Sequence, residues 1–79
     1  MTPSIGRIVH YQIRDGIYRP AIITQVFTNE DRPYCNLQVF LDGENDTIED
    51  GDNVRGYIAW MTSRYEGDSV GDWRWPPRD

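Results

Sequence analysis

The stretch YCNLQVFLDG, Tyr34 to Gly43, decides the fold. Cys35, Leu37, Val39 and Leu41 alternate with Tyr34, Asn36, Gln38 and Phe40, and Asp42-Gly43 follows as a turn signal. A period of two places successive side chains on opposite faces of a strand, so this is a β-strand with one apolar face. On the N-terminal side, GRIVHYQIR sets Val9, Tyr11 and Ile13 against Ile8, His10 and Gln12, and Asp15-Gly16 is a second turn signal. RPAIITQVF then supplies a β-branched run whose Pro20 belongs near a strand start or an edge, so the first two strands form a hairpin. On the C-terminal side GYIAWM reads as a fourth strand and TSRYEGDSVGD as a loop.

Residues 43–55 are acidic and punctuated by glycine, which predicts an exposed loop, and residues 72–79 form an extended aromatic tail stiffened by Pro76 and Pro77. No window carries apolar residues at helical spacing. The expectation is a single all-β domain over residues 1–79, a small twisted antiparallel sheet or an SH3-like barrel of four to five strands.

A chain of 79 residues has a marginal core. With one cysteine and one histidine it lacks the disulfides or zinc that staple many small domains, so self-association is the expected further source of stability, with a dimer as the default. No segment has the length of a membrane span or the pattern of an export signal, and a reducing cytoplasm is the expected location. A net charge of -5 opposes binding to DNA or RNA, whose affinity rests on cations neutralising a run of phosphates. All eight cations are arginines, whose planar five-donor fork suits phosphate and stacking on rings, although a lineage bias toward arginine would give the same count.

The sequence offers no catalytic set. His10 has no nucleophile or orienting partner at a recognisable spacing, and Cys35 lies in register with core positions. In DGENDTIEDGDN, aligning Gly51 with the calcium-loop glycine puts Ile48 at a ligand position and Tyr57 where a glutamate belongs. No metal and no cofactor is therefore expected, and no enzymatic activity. What remains is aromatic surface. Tyr11, Tyr18, Tyr34, Tyr57, Tyr65, Trp60, Trp73 and Trp75 exceed what so small a core encloses, so some belong at an edge or interface. In an extended tail Trp73 and Trp75 share a side and Arg74 takes the other; one of the two indoles is expected to cap the core.

Taken together, GRIVHY (6–11), RPAII (19–23), NLQVFLDGEND (36–46), WMTS (60–63) and WRWP (73–76) resemble a widespread family of small phage proteins, across nearly the whole chain and in the same order. Proteins of this type are associated with anti-CBASS sponges, which sequester cyclic dinucleotides such as 3'3'-cGAMP without cleaving them. The resemblance thus implies a phage anti-defence protein acting in the host cytoplasm. Asp72 and Arg74 depart from the family pattern, where threonine and histidine are more usual, as does the acidic stretch Thr47 to Asn53. Under this reading Tyr11, Trp60 and Trp75 stack on bases, Arg19 clamps a phosphate, and His10, Thr62 and Ser63 read polar groups. A two-fold dimer would match the near symmetry of such a ligand. The competing reading is an SH3-like protein-interaction module of a phage, holding a host protein or virion component on exposed aromatic rows.

Overall fold

A computed structural model describes residues 2–28, 31–43, 46, 54–55 and 57–77. The alternating runs become paired strands: β1 (Ile8–Arg14), β2 (Ile17–Phe27), β3 (Tyr34–Phe40), β4 (Val54–Arg55), β5 (Ile58–Tyr65) and β6 (Trp73–Arg74). They form one antiparallel sheet in the order β4-β5-β3-β2-β1-β6. No α-helix occurs among the described residues. The fold is all-β, as the alternation requires.

Register sorts the side chains into two faces. Val9, Ala21, Val39 and Ala59 lie opposite one another across four strands, and Ile23, Leu37 and Met61 form a parallel row across three. All seven are buried, and Tyr11, Ile13, Cys35 and Trp73 join them to form the core. The next residues along each strand make the opposite face, where Ile8, Ile22, Gln38 and Trp60 are aligned in the same manner.

The sheet curls until its ends meet. Trp73 pairs with Tyr11 of β1 on one side and bridges to Glu66, just past β5, on the other. Gly67 N–H donates to the Trp73 carbonyl at 3.0 Å, and the Trp73 indole Nε1–H donates to the Arg64 carbonyl at 3.0 Å. A single two-residue strand thereby seals a barrel-like closure and covers the middle of the β1 edge, from His10 to Gln12.

Three stretches differ from their sequence expectation. β5 runs on through Thr62, Ser63, Arg64 and Tyr65, which read as loop. A bulge explains the missed alternation: Thr62 and Ser63 together oppose Asn36, and Ser63 adopts a φ of 57° while its amide donates to Asn36 Oδ1 at 3.0 Å. Inside the stretch read as an exposed loop, Val54–Arg55 pairs with β5, and the Asp46 side chain is wholly shielded from solvent; the other residues of 44–53 lie outside the described residues. In the tail, Trp73–Arg74 is a strand, with Pro76 and Pro77 exposed beyond it.

Candidate functional site

The expected ligand set does not converge. Tyr11 is fully buried in the core, because its place in the Val9-Tyr11-Ile13 row faces inward; it has no accessible face on which a base could stack. Arg19 lies on the same inward side at the core's margin, committed to Asp46. Its Nε and Nη2 donate to the two carboxylate oxygens at 2.6 and 2.7 Å, and Arg14 Nη1 lies 3.7 Å from the same carboxylate. The two Arg19 hydrogen bonds are the main influence holding the Asp46 carboxyl below its ordinary range, against the opposing effect of burial; the Asp42 amide and the Arg14 charge add to it. A guanidinium neutralised bidentately by a shielded carboxylate is a structural strut between β2 and the segment that follows β3 rather than a phosphate clamp.

Trp75 packs half-buried against the core, its ring edge-on to Trp73 at 5.4 Å and beneath the Arg7 guanidinium at 5.3 Å. Trp73 is the indole that caps the core, at 1% exposure. Ser63 is exposed, at the bulge. Trp60, Thr62 and His10 remain toward the outer face. Trp60 in β5 and His10 in β1 are three strands apart, about 14 Å at ordinary strand spacing.

That outer face has a character of its own. Ile8 is 55% exposed, Ile58 42%, Trp60 39% and Phe40 38%, with Phe40 and Ile58 directly opposite each other. Ile22 and Gln38 fill the row between Ile8 and Trp60, while Pro20 and His10 are paired beside it. None of these eight residues is a carboxylate or an arginine, although the chain carries thirteen carboxyl side chains and eight arginines. On an acidic protein, large apolar groups gathered with no carboxylate among them mark a contact surface, and Arg74, paired with His10, stands at its margin.

Where the ends of β3, β5 and β6 meet the N-terminal segment there is a cavity of about 460 Å³, bordered by Arg32, Pro33, Glu66, Asp68, Trp73 and Arg74, with Thr2, Pro3 and Gly67 completing it. Spacing gave no signal for it, since its residues come from four separate parts of the chain. Cys35 is buried, and burial pushes its thiol up, away from the reactive thiolate. Among the described residues no group of three metal-ligating side chains occurs, and no helix is long and apolar enough to cross a membrane. Set against family models, curated proteins and solved structures, the chain matches none.

Proposed function

We propose that this protein is a binding module that docks a protein partner on the outer face of its sheet. The observation that supports the reading is the row Ile8-Ile22-Gln38-Trp60 with Phe40 and Ile58 beside it, large apolar side chains held in register on a rigid sheet. Aromatic side chains of this size present 150–250 Å², so the exposed fractions of Trp60 and Phe40 leave roughly 60–100 Å² each, and covering each contributes about 2 kcal/mol. Such residues are typical anchors of an interface. Trp60→Ser and Ile58→Ser test it: each should leave the melting temperature within a few degrees of the parent and abolish retention of a defined host protein that binds the parent in purified form. Undiminished retention by both variants removes the face from the function.

A second reading, a sponge that holds a cyclic dinucleotide without cleaving it, is favoured by one observation: Trp60, His10 and Thr62 flank the same outer face. Two copies meeting there about a two-fold axis would present paired indoles and imidazoles to a ligand with two bases, each stacked base contributing about 1 to 3 kcal/mol. Its phosphate contacts must come from arginines other than Arg19. Thermal-shift and calorimetric titration with a panel of cyclic di- and trinucleotides separates the two. A rise in melting temperature with one or two compounds, and recovery of intact nucleotide after heating, selects the sponge; a flat response with partner retention selects the docking module.

A further inference from the structure

We propose that the cavity at the end of the barrel is a second ligand site, for a small phosphate monoester that also carries hydrogen-bond donors, of the nucleoside monophosphate class. The site is separate from the Ile8-Ile22-Gln38-Trp60 row, no residue of which borders the cavity, although Arg74 is paired with His10 of the outer face.

Its volume of about 460 Å³ falls among those of small-molecule sites. Two arginines border it, the guanidinium of each lying over a tyrosine ring. Arg32 Cζ lies 4.5 Å from the Tyr65 ring centre and Arg74 Cζ 3.7 Å from that of Tyr18. Stacking fixes the plane of a guanidinium while leaving the N–H edge to donate. Arg32 uses one N–H on the Glu66 carbonyl at 2.8 Å; Arg74 Nε is buried and has no hydrogen-bond partner. Ion pairing among the described residues goes to Arg14 and Arg19 with Asp46, so neither Arg32 nor Arg74 is neutralised by a described carboxylate. Arginines that no described carboxylate neutralises call for an oxyanion, and a phosphate has acceptor oxygens enough for both.

The rest of the lining narrows the class. Glu66 and Asp68 border the same space and would repel a bare polyanion, yet they accept hydrogen bonds from amino or hydroxyl groups. Pro33 supplies apolar surface for a ring, to which Trp73, at 1% exposure, adds almost none. A molecule with an anionic end, a flat body and exposed donors satisfies all three kinds of lining. Long nucleic acid does not, since every added phosphate meets a chain of net charge -5.

The test is calorimetry on the full chain with AMP, GMP, CMP and UMP, beside the parent nucleosides and inorganic phosphate. At least one monophosphate should bind saturably, about tenfold or more tighter than inorganic phosphate and than its own nucleoside, because each half of the ligand engages a different part of the lining. Arg32→Gln and Arg74→Gln should each weaken binding about tenfold or more, with Arg74→Lys between Arg74→Gln and the parent, since it keeps the charge and loses the fork. Backbone amide spectra report whether each variant is folded, and Arg32, outside any strand, gives a second variant should Arg74→Gln fail to fold. The absence of saturable binding by every monophosphate overturns the proposal. So does binding undiminished in folded Arg32→Gln, and so does inorganic phosphate binding as tightly as the monophosphates. Loss of the protein partner alone leaves this site standing.

Discussion

Ser63 sits at a φ of 57°, in the left-handed region that costs an L-residue about 1–2 kcal/mol. Glycine avoids that cost at the expense of a more flexible unfolded chain, so Ser63→Gly should stabilise the fold by up to about 1 kcal/mol, raising the melting temperature by several degrees. A drop in melting temperature would show that the bulge depends on the serine side chain itself. Asp46 gives a pH signature. Because its folded pKa lies below the unfolded value, the stability contributed by its pairing with Arg19 is present in full above about pH 4 and is lost as pH falls through the folded value. Melting curves of the parent and Asp46→Asn should therefore lie apart at neutral pH and approach each other on acidification; a gap that does not narrow would contradict the pairing. Cys35, buried with its thiol pushed up, should react with alkylating reagents at the rate of global unfolding, which timed labelling against denaturant measures.

Among the elements, β6 does the most with the fewest residues. Trp73 fills the core, pairs with β1 and touches the end of β5, so Trp73→Ala should cost about 3–5 kcal/mol, enough to unfold much of a marginal domain at 37 °C. Urea denaturation reads this directly, with a loss below about 1 kcal/mol standing against the closure. The long strands were legible in sequence because burial of one face imposes a period of two on Val9-Tyr11-Ile13 and Cys35-Leu37-Val39. β6 was not, since two residues cannot display a period. The reach of β5 through Tyr65 was hidden for a related reason: the bulge at Thr62 and Ser63 shifts the alternation by one position. The same inward rule that made Tyr11 legible as a strand residue removes it from any surface site, whereas counting aromatics could not tell inward from outward. Gln12, predicted outward, is on that side yet 3% exposed, because its amide donates to the Asp68 carbonyl and accepts from the Gly16 amide, tying the first hairpin to the distant loop.

For the whole molecule, the division of labour between faces matters more than any one group. The acidic balance keeps copies of the chain apart in general, while the Ile8-Ile22-Gln38-Trp60 row and its neighbours Phe40 and Ile58 carry no charge to repel a partner. Raising ionic strength should therefore strengthen or leave unchanged a contact made there, whereas monophosphate binding at Arg32 and Arg74 should weaken with salt. Salt titration of the two events, by sedimentation and by calorimetry, should give slopes that differ in this way; equal and steep slopes for both would place charges in the apolar contact. The cavity stayed illegible in sequence because Arg32, Glu66 and Arg74 meet only after the sheet has curled, and no spacing rule spans that curl.

Closure by β6 also sets a timetable. The hydrogen bond between Gln12 and the Asp68 carbonyl joins residues 56 positions apart, and Trp73 reaches β1 from farther still. During synthesis from the N-terminus, the first hairpin must wait with its outer hydrogen-bonding groups in water until Trp73 has left the ribosome. Such distant pairings make for slow, late acquisition of the native state, and a nascent protein stalled before Trp73 would present a sticky template to its neighbours.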